Sequence, residues 1–183
     1  MARAESNRRV FLIGFMGAGK TSVGQALARR LGWSFRDLDR VIESREQKSV
    51  AEIFTELGES GFRAVESAAL AELLQEGDAQ NHLVIALGGG TFAQPANREA
   101  LLLADAMTIL LEAPVHELQR RCANDSTVRP LARQEARFAE LFQQRQPAYA
   151  LAKQRVETSG KTVDEVAQEV AKILAEAIPE VRK

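Results

Sequence analysis

The sequence contains a single cysteine, Cys122, so the chain cannot form an internal disulfide and fits a reducing compartment. No apolar stretch approaches the roughly 20 residues that a membrane-spanning helix requires. A net charge of −1 over 183 residues offers no broad basic surface for nucleic acid or anionic lipid. Repeats, low-complexity tracts and linkers are also lacking. We therefore expect one cytoplasmic domain over residues 1–183, with frayed tails at 1–9 and 178–183.

The sequence does contain short apolar runs that alternate with amphipathic helical patterns. Five runs are predicted to be strands: 10–13, 33–36, 83–87, 107–111 and 155–158. Capping boxes at 49–52 and 162–165 mark two helix starts, and Gly58 is predicted to end a helix. Other helical patterns begin at Val41 and span about 134–145. The alternation predicts an α/β fold with a five-stranded parallel sheet, helices on both faces and right-handed crossovers.

The strongest motif follows the first predicted strand. Residues 14–21 read Gly-Phe-Met-Gly-Ala-Gly-Lys-Thr and fit the phosphate-binding P-loop pattern, with an amphipathic helix after them. The glycines let successive N–H groups face an anion, and the helix N-terminus adds partial positive charge. Lys20 can reach the β- and γ-phosphates of a nucleotide, and the Thr21 hydroxyl can ligate Mg²⁺. The residues predicted to bind a nucleoside triphosphate are Met16, Gly17, Ala18, Gly19, Lys20, Thr21 and Ser22.

Two carboxylates follow the second predicted strand. Asp37 and Asp39 are two residues apart and share a face if the chain is still extended there. One carboxylate can help to hold hydrated Mg²⁺, and the other can accept a proton from an attacking hydroxyl. Asp39 can instead be the N-cap of the next helix. The third predicted strand ends without the aspartate that usually holds the metal in P-loop proteins, which favours Asp37 for that task.

The third predicted strand runs directly into Gly88, Gly89 and Gly90. Three glycines in a row indicate backbone packed against a ligand, although a flexible loop would also explain them. In parallel sheets, ligands bind beyond the C-terminal ends of the strands, where these glycines meet the P-loop and the aspartates. The planar fork of arginine suits carboxylates and phosphates, but spacing alone assigns no single arginine to either. Four arginines stand out by context: Arg63, Arg121, Arg129 and Arg145.

Taken in order, these motifs resemble the shikimate kinase family over nearly the whole chain, from Val10 to Ala175. The matching motifs are the P-loop, Asp37-x-Asp39, Gly61-Phe62-Arg63-x-x-Glu66, Gly88–Gly90, Arg129-Pro130-Leu131 and Arg145-x-Pro147-x-Tyr149. A P-loop alone is shared by many families, whereas this ordered series is specific. The resemblance implies the P-loop kinase fold and ATP-dependent phosphorylation of the 3-hydroxyl of shikimate, on the pathway to chorismate and the aromatic amino acids.

The resemblance also implies roles for single residues. Asp39 would bind the substrate hydroxyls and act as the base, while Arg63 and Arg145 hold the carboxylate and Gly88–Gly90 contact the ring. Thr21 would ligate Mg²⁺ directly, and Asp37 would act on it through water. Lys20 and Arg129 would act on the phosphates during catalysis, with Arg129 in a mobile lid at 123–132. Arg121 would pack near the adenine.

Three other functions remain open at this point. A gluconate kinase also binds a carboxylate and hydroxyls, but the contexts of Arg63 and the three glycines argue against it. A nucleoside monophosphate kinase lacks support, because no segment resembles a second base-binding pocket. A nucleotide sensor would not need the full set of Lys20, Asp37, Asp39 and Arg129. We expect ATP as co-substrate, Mg²⁺ as cofactor and shikimate as substrate, no nucleic-acid or membrane partner, and a monomer.

Overall fold

The computed structural model describes residues 9–75, 82–123 and 135–177, and within these ranges the strands and helices alternate along the chain. The strands are β1 (Arg9–Ile13), β2 (Ser34–Asp37), β3 (Leu83–Ala86), β4 (Met107–Glu112) and β5 (Gln154–Glu157). The α-helices are α1 (Lys20–Leu31), α2 (Leu38–Glu46), α3 (Val50–Gln75), α4 (Pro95–Leu103), α5 (Val115–Ala123), α6 (Glu135–Tyr149) and α7 (Val163–Ala177). A short 3₁₀ turn at Thr91–Ala93 follows β3.

All five strands are parallel and pair in the order β2-β3-β1-β4-β5, which confirms the predicted sheet. The inner strands β1, β3 and β4 are almost wholly buried, because helices cover both faces of a parallel sheet. The edge strands β2 and β5 are more exposed. Leu12 and Asp37 both lie beside Ala86, so β1, β2 and β3 end at nearly the same level.

The helices form two layers. The connection from β1 to β2 runs toward one edge of the sheet, and every later connection runs toward the other edge. Since crossovers between parallel strands are right-handed, α1 lies on one face and the helices between β2 and β5 lie on the other. The observed packing of α1 on α7 and of α3 on α4 agrees with this. The C-terminal ends of the strands then form the edge where such sheets bind ligands.

The predicted helix boundaries at 49–52, 58 and 162–165 are confirmed. The carboxylate of Glu52 accepts a hydrogen bond from Ser49 N at 2.7 Å, and Ser49 Oγ accepts one from Glu52 N at 3.3 Å. Thr162 and Glu165 form the same pair of bonds, at 2.7 and 3.3 Å. Gly58 interrupts α3 with a φ of 66° and a ψ of −175°.

Two helices differ from the prediction. Helix α2 begins at Leu38, not at Val41, because the Asp37 side chain accepts a hydrogen bond from Asp39 N at 3.1 Å and caps the helix directly at the end of β2. The chain is therefore not extended through Asp39, and the expectation that the two aspartates share a strand face is wrong. Helix α6 continues beyond position 145 to Tyr149, with Pro147 close to its end.

Some predictions concern residues outside the described ranges. They are Arg129, all but the first residue of the lid at 123–132, the tail at 178–183 and the first eight residues. Arg9 is described, and it belongs to the sheet and not to the predicted tail: it begins β1 and its Nη1 donates to the Leu74 carbonyl at 2.6 Å. Within residues 9–75, 82–123 and 135–177, no helix has the length and apolar character needed to cross a membrane.

Candidate active site

The P-loop connects β1 to α1 at the centre of the sheet. Gly14, Gly17 and Gly19 have φ angles of 147°, 80° and 85°. Helix α1 begins at Lys20, with no side chain capping it and no acidic residue in its first turn. The N-terminal N–H groups of the helix are therefore left without a side-chain cap, which suits an anionic ligand.

The P-loop packs directly against α5 at Gly17. A Cβ at this position would lie 2.5 Å from the Leu118 carbonyl oxygen and 2.9 Å from the Cys122 sulfur. Only glycine fits this contact, and its left-handed backbone also favours glycine. The loop thus rests on a packed helix, which keeps its N–H groups in one arrangement.

Lys20 lies across the loop. Its Nζ donates to the carbonyl oxygens of Gly14 and Phe15, at 2.9 and 3.1 Å. The ammonium group is thus held within the turn, where a phosphate bound to the loop would meet it.

Thr21 and Asp37 bring together two kinds of oxygen donor. Thr21 Oγ1 donates to Asp37 Oδ2 at 2.7 Å, which joins the first turn of α1 to the end of β2. Hydroxyl and carboxylate oxygens are the ligands that Mg²⁺ prefers, so this pair fits the ion. In the described part of the chain, no group of three or more His, Cys, Asp or Glu side chains forms a metal cage.

Three predicted substrate-binding side chains converge on the glycines after β3. A Cβ built at Gly88 would lie 3.0 Å from Asp39 Oδ1, and one at Gly89 would lie 3.2 Å from Arg145 Nη1. A Cβ at Gly90 would lie 2.7 and 2.8 Å from Nη2 and Nη1 of Arg63. The lack of side chains on this segment therefore makes room for one carboxylate and two guanidinium groups, a set that suits a small ligand with both a carboxylate and hydroxyls.

Arg63 is held from two sides. Its Nη1 donates to Glu66 at 2.9 Å, and buried Glu66 also accepts from Thr91 Oγ1 at 2.6 Å. The guanidinium lies 5.9 and 5.4 Å from the centres of the stacked Phe54 and Phe62 rings. Its Nε is buried and meets no acceptor among the described residues.

Arg145 rests on an aromatic cluster that includes a P-loop residue. Its guanidinium carbon lies 5.4 Å from the centre of the Phe15 ring. Phe15 in turn meets the edges of Phe138 and Phe142, with ring centres 4.9 and 5.4 Å apart. Phe15 thus links α6 to the P-loop. The sequence did not indicate that Phe15 supports Arg145 or that Thr91 contacts Glu66, and Glu66 itself stood out only as part of a motif. The pattern of apolar residues carries no information about contacts between side chains far apart in the sequence.

Arg121 lies apart from this cluster, between α5 and the segment after β5. Its Nη1 donates to Thr158 Oγ1 at 2.8 Å, and its Nη2 donates to the Thr158 carbonyl at 2.9 Å and to Glu117 at 2.6 Å. The hydrogen bond from Ser159 chiefly lowers the pKa of Glu117, with help from Arg121. Arg121 is therefore fixed on α5, the helix on which Gly17 of the P-loop rests.

The chain is similar to known proteins over nearly its whole length. A family model described as shikimate kinase matches residues 16–175. A shikimate kinase of Thermus thermophilus is 40% identical over 180 residues, covering 95% of each chain. One of Synechococcus sp. CC9605 is 40% identical over 172 residues, covering 92% of this chain and 83% of the relative.

The solved structures include a shikimate kinase from Acinetobacter baumannii in complex with shikimate. It is 34% identical to this chain and superposes with a TM-score of 0.84, covering 95% of this chain and 96% of the other. The match of the family model spans far more than half of the 183 residues, and the relatives align over almost their full length. The chain therefore belongs to the shikimate kinase family.

Proposed function

We propose that the protein transfers the γ-phosphoryl group of ATP to the 3-hydroxyl of shikimate, on the route to chorismate and the aromatic amino acids. The observation that carries the proposal is the convergence of Asp39, Arg63 and Arg145 on three glycines that follow the strand next to the P-loop. Shikimate has one carboxylate and several ring hydroxyls, so it matches this set of charges.

The acceptor half of the site would work by charge pairing and orientation. Arg63 and Arg145 would bind the shikimate carboxylate, because two guanidinium groups already rest against Gly89 and Gly90. Asp39 would accept hydrogen bonds from the ring hydroxyls and take the proton of the attacking one. The Gly88–Gly90 backbone would form the floor under the ring.

The nucleotide half of the site would bind the phosphates on residues 16–22. Lys20, which lies beside the Gly14 and Phe15 carbonyls, would neutralise the charge that grows on the transferring group. Thr21 and Asp37 would hold Mg²⁺, which when bound offsets the charge of the phosphates. Arg121 would lie beside the adenine, and Arg129, outside the described residues, remains a predicted phosphate ligand.

Turnover with shikimate, with gluconate and without an acceptor tests the proposal. We expect phosphorylated shikimate to form at a rate far above ATP hydrolysis without acceptor, and no turnover after a chelator removes Mg²⁺. Preferential phosphorylation of gluconate would contradict the assignment of the acceptor. Nucleotide binding without any turnover would instead indicate a sensor.

The Gly90→Ala variant should fold normally and bind shikimate poorly. Gly90 has a φ of −102°, which alanine adopts easily, and the three atoms nearest to the added Cβ all belong to the end of the Arg63 side chain, at 2.7–3.0 Å. That flexible end can move, but only by leaving its place in the site. We expect the KM for shikimate to rise about 10- to 100-fold, as for loss of part of a charge pair.

Gly14→Ala is the contrasting variant. Its Cβ would lie 2.4 Å from the backbone carbonyl oxygen of Leu111, and Gly14 has a φ of 147°. Backbone cannot swing away as a side chain can, so we expect the midpoint of thermal unfolding to fall more in Gly14→Ala than in Gly90→Ala, where the cost is limited to a disturbed Arg63–Glu66 pair. An unchanged shikimate KM in Gly90→Ala would show that Arg63 does not act at this position.

A further inference from the structure

The carbonyl of Gly89 is held differently from those of its two neighbours. The Gly88 and Gly90 carbonyls accept hydrogen bonds from Thr91 N and Ala93 N, both at 3.1 Å, within the local turn. The Gly89 carbonyl accepts a hydrogen bond from the Tyr149 hydroxyl at 2.5 Å. A side chain 60 residues further along the chain therefore fixes the centre of the glycine segment.

Tyr149 is built into the structure as a hydrogen-bond donor. It is the last residue of α6, its side chain is buried, and it lies one turn after Arg145 on the same side of the helix. Burial raises the pKa of Tyr149 to about 12, and the charge of Arg145 together with its side-chain hydrogen bond to the hydroxyl offsets this only in part. The hydroxyl therefore keeps its proton, and can donate, throughout the physiological range.

Gly89 lies where the acceptor and nucleotide halves of the site meet. A Cβ built there would be 3.2 Å from Arg145 Nη1, 3.7 Å from Met16 N and 3.8 Å from the Gly14 carbonyl oxygen. A shift of Gly89 would thus move the floor of the acceptor site relative to both the P-loop and one of the two guanidinium groups.

We propose that Tyr149 is a positioning residue for the acceptor: its hydroxyl holds the Gly89 carbonyl and thereby keeps the Gly88–Gly90 floor in place between Arg145 and the P-loop. The inference rests on the proposed function, because it takes shikimate as the ligand on that floor. Tyr149 acts through Gly89 and through its hydrogen bond with Arg145, and it takes no part in the chemical step.

The Tyr149→Phe variant tests this inference, because it keeps the ring and removes the hydroxyl. We expect the KM for shikimate to rise about 3- to 10-fold, as for the loss of one hydrogen bond. The kcat should fall less than about threefold and the KM for ATP should stay within about twofold, since the P-loop rests on α5 independently of this bond. Calorimetric titration with shikimate should show the same loss of affinity.

Thr108→Val is the matched control. Thr108 is a buried residue of β4 whose hydroxyl accepts a hydrogen bond from Lys153 N at 3.1 Å, a bond that does not include the glycine segment. This control should lose stability and leave the KM for shikimate unchanged. If Tyr149→Phe also loses only stability, Tyr149 is merely structural and the inference is overturned. A wild-type protein that neither binds nor phosphorylates shikimate would instead overturn the proposed function itself.

A second measurement applies if Tyr149→Phe does not fold. Tyr149 is the only tyrosine in the chain, so growth on a ring-fluorinated tyrosine alters this side chain alone and lowers the pKa of its hydroxyl. The shikimate KM of the fluorinated protein should rise as the pH passes through the lowered pKa, while that of the ordinary protein stays flat over the same range. Identical pH profiles for the two proteins would overturn the inference.

Discussion

Lys20→Met is expected to lower kcat by about 10²- to 10³-fold, the usual effect of removing one group that stabilises charge in a transition state. The ammonium group of Lys20 lies between the carbonyls of Gly14 and Phe15, at the place where the loop would receive the phosphates. Charge grows on the phosphoryl oxygens during transfer, so the loss should fall on kcat more than on KM. Steady-state kinetics with shikimate and ATP varied separately would measure both.

Lys172→Met is the matched control, because Lys172 is an exposed lysine on α7 and the substitution is the same. It should leave kcat and both KM values unchanged. Thermal unfolding of the two variants should be similar, since Lys20 contributes two hydrogen bonds to a partly exposed loop and packs no core. Near-normal turnover in a folded Lys20→Met protein would remove the P-loop lysine from the mechanism.

The inner strands of the sheet could be predicted well because burial on both faces makes them continuous apolar runs. Residues 10–13 and 107–111 fall within β1 and β4 of the structure. The predicted edge strands, 33–36 and 155–158, are each one residue away from the observed ones, β2 at Ser34–Asp37 and β5 at Gln154–Glu157. Edge strands are half exposed, so hydrophobicity alone does not define where their pairing begins and ends.

The meeting of the P-loop, Asp37 and the three glycines could also be expected from sequence. Each follows a parallel strand, and the C-terminal ends of such strands form one edge. The order β2-β3-β1 places the glycine segment between the other two, and the register brings the strand ends level. The roles assigned to these residues stay predictions, since they depend on bound ligands.

The long-range hydrogen bonds that hold Glu66 and the glycine segment in place could not be predicted from the sequence. The interaction of Glu66 with Thr91 spans 25 residues and that of Tyr149 with Gly89 spans 60, and neither has a periodic signature. The predicted arrangement of Asp37 and Asp39 on one strand face was wrong for a different reason. A carboxylate that caps a helix ends the strand at that residue, and spacing along the sequence does not reveal which of two nearby aspartates does so.

Arg63→Ala and Arg145→Ala should both weaken shikimate binding strongly and leave ATP binding almost unchanged. Removing one partner of a buried charge pair typically costs about 2–5 kcal/mol, or roughly 30- to several-thousand-fold in affinity. Both guanidinium groups rest against the glycine segment and on aromatic rings, so little ordering is needed when the carboxylate binds. The phosphates would lie instead on residues 16–22.

The two variants should differ in stability, which separates binding from folding. Arg63→Ala leaves Glu66, which is 1% exposed, without its cation, so the midpoint of thermal unfolding should fall more than in Arg145→Ala. Arg155→Ala, which removes an exposed arginine from β5, is the control and should leave the affinities for shikimate and for the ATP analogue unchanged. Calorimetric titrations with shikimate and with an ATP analogue should be compared for each folded variant. Equal losses for both ligands would mean that Arg63 and Arg145 serve the nucleotide or the fold, because a carboxylate-binding pair affects only the acceptor.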